Sequence, residues 1–337
     1  MREPNFDNLL KVLKRQTPDR PTLFEFFLNG PLYDKLAGEE IVSRTDKLAP
    51  MRTLIHAFKN AGYDYATVRG SDDFYYTRGE THSEKTMSLN EGGLISDRKS
   101  FEEYPWPNPD DCDYSHLVEI IPEIPKGMKL LMCENGGILE NAISIVGYEN
   151  LCYMTVEDPE LVKDIFNSVG SRLLRYHEIC KDFESIGAFI CNDDWGYKSQ
   201  TMLSPASMRE YVFPWYKKIV EVIHSSGKPA LLHSCGNLAE VMDDIIDDMK
   251  FDGKHSYEDN IMPVEEFYEV WGSRISILGG LDLNFICTSS PDEIRERCIG
   301  MLNRVADRGG YALGTGNSVP EYVPDENYFA MTSCVNT

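Results

Sequence analysis

No stretch of this chain approaches the roughly 18 consecutive apolar residues of a membrane-spanning helix, which excludes a helical membrane protein. Bases are scarce: 33 Lys and Arg face 55 acids, for a formal net charge of −22, and no basic run stands out. Such a surface repels duplex nucleic acid and anionic bilayers, so neither is an expected partner. Residues 1–5 show no apolar core of a signal peptide, and the nine cysteines lack the spacing of a disulfide framework. A reducing, cytoplasmic setting is therefore expected. Also missing is any Gly-x-Gly-x-x-Gly after the first strand-like segment, which removes the dinucleotide-binding signature.

What is present is globular: 42% hydrophobic and 26% charged residues over 337 positions. Short apolar runs alternate with helical periodicity. Strands are predicted over 21–27, 64–69, 129–133, 188–191, 229–233, 251–257, 275–282 and 310–317. Helices are predicted over 158–183, with Leu161, Ile165, Val169 and Leu173 on one stripe, and from Ser204-Pro205 to Gly227. Further helices are expected over 239–249, 263–270, 290–305 and 324–331. Eight strands alternating with helices predict an α/β fold of the (β/α)8 TIM-barrel kind, as one domain over residues 1–337. An open doubly wound sheet is the alternative. Residues 70–128, rich in Asp, Glu, Tyr, Trp and Pro, are expected to form an insertion between strands 2 and 3. Residues 5–16, with Phe6, Leu9, Leu10 and Leu13 on one stripe, are expected to form an N-terminal capping helix.

The run Pro229-Ala230-Leu231-Leu232-His233-Ser234-Cys235-Gly236-Asn237 ends a buried strand in His-x-Cys. Residues i and i+2 of a strand point the same way, so His233 and Cys235 address one object. Imidazole and thiolate suit zinc, and the pair reads as half of a metal site. A third ligand is expected from the next strand, where both His255 and Glu258 lie within reach. In a barrel the active site occupies the C-terminal ends of the strands. The polar residues there include Glu25, Arg69, Glu134, Asp282 and Asn317 as candidate substrate contacts. Asp193, Asp194 and His255 are candidates for acid/base or positioning roles. Phe24, Phe26, Phe27, Tyr33, Phe74, Tyr75 and Tyr76 suggest an apolar wall for a ring-shaped substrate.

Together these residues resemble the uroporphyrinogen decarboxylase superfamily, and within it the corrinoid-dependent methyltransferase branch. The resemblance covers nearly the whole chain. It rests on Asp193-Asp194-Trp195-Gly196, Ser204-Pro205 with Tyr211 to Tyr216, and Leu232-His233-Ser234-Cys235-Gly236-Asn237. It rests also on Leu278-Gly279-Gly280-Leu281-Asp282 and Gly314-Thr315-Gly316-Asn317-Ser318-Val319-Pro320. The decarboxylases carry an Arg-rich segment after the first strand, whereas this chain reads Glu25-Phe26-Phe27-Leu28-Asn29-Gly30-Pro31. The methyltransferase branch binds zinc through His-x-Cys and a late Cys, and here the late position holds Asn317. Relatives that use an acid after the following strand would find Glu258 in that place. The resemblance thus implies a methyltransferase with zinc at His233, Cys235 and Glu258. It would move a methyl group from a small methylated substrate, for instance an O-methyl aromatic ether, to a corrinoid (cobalamin) on a partner protein. A decarboxylase-like lyase and a non-catalytic binding barrel are the alternatives.

Overall fold

The computed structural model describes residues 2–79 and 88–336. Its centre is one sheet of seven strands: β1 Tyr65–Arg69, β2 Lys129–Cys133, β3 Ile186–Asn192, β4 Ala230–His233, β5 Gly253–His255, β6 Ser276–Leu278 and β7 Tyr311–Ala312. Neighbours in space are neighbours in sequence, and every pair is parallel. Parallel strands need crossovers, and helices cover the outer face, so the strands read as nearly unbroken apolar runs. A doubly wound sheet would reverse its strand order at a switch point, and this one does not.

The predicted first strand differs. Residues 21–27 contribute a single parallel bridge, Leu23 to Leu313, on the far side of β7. Toward β1, the Tyr65 hydroxyl takes the place of a strand ladder. It accepts from the Glu25 N–H at 2.7 Å and donates to the Glu25 carbonyl at 2.6 Å. A side chain therefore satisfies the backbone groups that a neighbouring strand would otherwise pair.

The helix Phe6–Leu13 buries Phe6, Leu9, Val12 and Leu13. It lies across the N-terminal ends of the strands. Its Phe6 ring fills the space beside Gly187, and the Val12 carbonyl accepts from Ser276 Oγ at 2.7 Å. The helix Pro159–Cys180 starts on Asp158, whose side chain accepts from the Leu161 N–H, with Pro in the first turn. Its stripe of Leu161, Ile165, Val169 and Leu173 is fully buried. Each such side chain stabilises by about 1.5–3 kcal/mol on leaving water.

Two predicted helices are irregular. The segment after Ser204 passes through a π turn at Met208–Val212 before the helix Phe213–Ser225. Pro214 has no N–H to give the preceding turn, and the widened turn absorbs that loss. Residues 239–249 form a 3-10 turn, Ala239–Val241, and a π turn, Asp244–Asp248, instead of a continuous α-helix. The helices Ala49–Ala61 and Ile138–Val146 fall where no helix is predicted. Between β1 and β2 the described residues hold only short helical pieces, such as Arg98–Glu103 and His116–Glu119. Residues 80–87 of the expected insertion lie outside the described residues. Among the described residues no helix is long and apolar enough to cross a membrane.

Candidate functional site

The C-terminal strand ends bring together most of the residues singled out in the sequence. His233 closes β4 and lies in register with Asn192 of β3 and His255 of β5. The chain then turns at Gly236, which has φ 83°; a Cβ there would lie 2.2 Å from the Gly196 backbone. Only glycine fits both demands. This close approach joins the loop after β4 to the loop after β3. Asp194 Oδ1 accepts from the Cys235 N–H at 2.9 Å, and Ser234 Oγ accepts from the Trp195 N–H at 3.0 Å. As a result Asp194, His233 and Cys235 each present a ligand atom within 4.8 Å of the others.

A chain of hydrogen bonds fixes the state of His233. The Thr315 carbonyl lies 3.2 Å from His255 Nε2, and a carbonyl can only accept, so Nε2 carries the His255 proton. His255 Nδ1 then bears a lone pair and accepts from His233 Nδ1 at 2.7 Å. His233 Nε2 is left with its lone pair, 3.9 Å from Cys235 Sγ. Burial holds His255 at a pKa of about 3 and His233 well below the usual range, so both rings are neutral at physiological pH.

The relay continues to Glu25. Thr315 Oγ1 lies 2.8 Å from the Asn317 carbonyl and 2.7 Å from Glu25 Oε2, yet it owns one proton. That proton goes to the carbonyl, which leaves the carboxyl to donate to Oγ1. Burial raises the Glu25 carboxyl to about 8, in agreement with a protonated acid. Glu25 is fully enclosed and holds Thr315 rather than meeting a ligand.

Cys235 is a thiol in this environment. Burial, and secondarily the Asp194 carboxylate, push it up to about 12. Asn317 Nδ2 donates to its sulfur at 3.2 Å, and Ser256 Oγ lies 3.6 Å away. Asn317 thus touches the site as a donor to sulfur. Lys254, wholly buried, directs its ammonium to the Ser256 carbonyl at 2.6 Å, and burial lowers it to about 8.

Three further expectations are corrected. Asp193 faces no cavity. Its carboxylate accepts from the Leu139 and Glu140 N–H groups at the start of the helix Ile138–Val146, from Trp195 Nε1 and from the Tyr216 hydroxyl, all at 2.8–3.0 Å. It anchors a helix N-terminus, where a negative charge is favoured. A Cβ at Gly137 would fall 2.3 Å from the Asp193 Cβ, so this packing requires glycine. Asp282 caps the helix Leu283–Thr288 and accepts from the Asp259 N–H at 2.9 Å, which makes it structural. Glu258 lies outside the metal-capable group and lines a separate small cavity beside Lys254. Asp194, expected in an acid/base or positioning role, lies instead with His233 and Cys235 in the metal-capable group.

A cavity of about 800 Å³ opens at this rim, lined in part by Phe26, Phe27, Tyr33, Arg69, Glu134 and Asn192. Phe26 links cavity and imidazole, its ring centroid 4.6 Å from that of His233. Of the expected aromatic wall, Phe24, Phe74 and Tyr76 are core, and Tyr75 is exposed. Arg69 is exposed and paired with Asp72 at 3.2 Å. Sequence reading missed Thr315, Ser256 and Lys254. Thr315 sits between the glycines of Gly314-Thr315-Gly316, and Lys254 immediately precedes His255 within the predicted strand; both were visible signals.

Comparison with known proteins gives the same picture of the fold. A "methyltransferase from Methanosarcina mazei" superposes with a TM-score of 0.69 at 15% identity, over 98% of this chain and 97% of that one. Xylanase B from Clostridium stercorarium F9 reaches only 0.42 at 11% identity, over 67% of this chain and 83% of that one, too weak a likeness to bear on the fold. No curated protein sequence matches. The sequence model of the uroporphyrinogen decarboxylase family matches residues 94–337, well over half of the chain, and the protein belongs to that family.

Proposed function

We propose that this protein is a zinc-dependent methyltransferase that moves a methyl group between a small methylated substrate and a corrinoid carried on a separate protein. The observation that carries the reading is the convergence of His233 Nε2, Cys235 Sγ and the Asp194 carboxylate, with the imidazole lone pair already turned inward. Nitrogen, sulfur and oxygen donors with one position left open are the donor set of a catalytic zinc. When bound, zinc supplies Lewis acidity at the heteroatom that carries the methyl group. The chain's own residues prepare that centre. His255 and Thr315 hold the imidazole in its ligating tautomer, as outer-shell partners do in metal sites. Asp194 secures the Cys235 backbone, and Asn317 supports the sulfur. We read residues 22–28 as the eighth stave, so that the rim is that of a (β/α)8 barrel.

Phe26, Phe27 and Tyr33 give the cavity an apolar side suited to an aromatic ring, which supports an O-methyl aromatic ether as the substrate. The fold shared with the Methanosarcina mazei methyltransferase supports the reaction class. A decarboxylase acting on a polycarboxylate is less favoured. Of the cations that line the cavity, Lys47 and Arg69 are already paired with Asp113 at 3.1 Å and Asp72 at 3.2 Å.

The test is methyl transfer to free cob(I)alamin, followed by its visible spectrum, with O-, N- and S-methyl compounds as donors. Conversion to methylcobalamin by the zinc-loaded protein, abolished in a folded Cys235→Ser variant, is the expected result. Full activity of that variant, or carbon dioxide release in place of methyl transfer, would overturn the proposal.

A further inference from the structure

A second cluster lies apart from the His233 centre, between the sheet and the helix Pro159–Cys180. Glu134 follows β2, Cys191 belongs to β3, and His177 comes from the last turns of the helix. All three are buried, with exposures of 3%, 0% and 0%. Their ligand atoms lie within 4.8 Å of one another.

The outer partners of the cluster are already in place. His177 Nδ1 lies 2.9 Å from the Leu173 carbonyl, so Nδ1 carries the proton and Nε2 the lone pair. Glu134 Oε1 accepts from the Asn192 N–H at 2.9 Å. What remains is Glu134 Oε2 and His177 Nε2, both buried without a hydrogen-bond partner among the described residues. They face each other at 3.6 Å, an ion pair if His177 is protonated and two opposed lone pairs if it is neutral. Two buried lone pairs in opposition are costly. Ligand atoms at about 2.0–2.3 Å from a tetrahedral zinc stand about 3.3–3.7 Å apart. The observed spacing is that of two such ligands, and Cys191 offers a third. A histidine whose other nitrogen donates to a backbone carbonyl is the usual arrangement at a metal.

We propose that Glu134, His177 and Cys191 bind a second zinc-class divalent cation, which ties the helix Pro159–Cys180 to β2 and β3. Cys191 binds as thiolate and releases its proton to solvent. The proposal does not depend on the methyl-transfer reading.

Metal content by mass spectrometry, on protein produced with added zinc, separates the two sites. The full chain should carry two zinc ions, Cys235→Ser one and Cys191→Ser one. A count that falls with Cys235→Ser but not with Cys191→Ser overturns the second site; the reverse overturns the first. Cys191→Ser could fail to fold, so cobalt is also loaded into Cys235→Ser. A thiolate-to-cobalt charge-transfer band in that variant supports Cys191 as ligand, and its absence overturns the proposal.

Discussion

Replacing His255 by Phe keeps the ring volume and removes both hydrogen bonds of the relay. His233 Nδ1–H then loses its acceptor at 2.7 Å in a site where His233 is only 4% exposed. An unpaired buried donor costs about 1–3 kcal/mol. The imidazole escapes that cost by turning or by moving its proton to Nε2, and either response removes the lone pair aimed at Cys235. Loss of an outer partner of a metal-bound histidine lowers metal affinity by about 10–100-fold. Zinc competition with a chromophoric chelator should therefore show a loss in that range for His255→Phe. His255→Gln, which retains a donor and an acceptor, should recover part of it. Because the second cluster contributes its own zinc, the titration counts only the zinc that Cys235→Ser removes. Unchanged affinity in His255→Phe would refute the relay.

Asp193→Asn turns an amide NH2 toward backbone N–H groups that can only donate, and should lower stability by about 2–4 kcal/mol in urea unfolding. The native state holds the Glu25 proton up to about 8 against an ordinary value of 4.5, so stability should fall as pH rises through that window. Glu25→Gln should flatten this decline in melting temperature measured from acid to alkaline pH. His255 acts in the opposite sense: its folded value of about 3 lies below 6.5, so its contribution is lost as pH falls between them. Asn317→Cys places a thiol where Nδ2 now meets Cys235 Sγ at 3.2 Å, and should tighten zinc binding in the same chelator competition.

The strand pattern was legible because parallel strands buried on both faces are short apolar runs, and all seven sheet strands overlap segments predicted as strands. The edge segment 21–27 reads as a strand in sequence but makes a single bridge in the fold, because the Tyr65 hydroxyl, forty residues away, does the work of a ladder. The helix Ala49–Ala61 was legible in principle from Pro50 near its start and Gly62 at its end. His233 and Cys235 were legible from strand alternation alone. Their third companion was not: Asp194 reaches Cys235 only because Gly196 and Gly236 let two loops touch. Adjacent acids at positions 193 and 194 look alike in sequence. One is consumed by a helix N-terminus and the other is left for the site, a division that tertiary packing decides.

Anomalous diffraction from crystals of the zinc-loaded protein, collected at the zinc edge, tests the His233 centre most directly. The account predicts a peak about 2.0–2.3 Å from His233 Nε2, Cys235 Sγ and an Asp194 carboxylate oxygen. A zinc-replete crystal with no peak there, or with the ion held by Glu258 instead of Asp194, would contradict it.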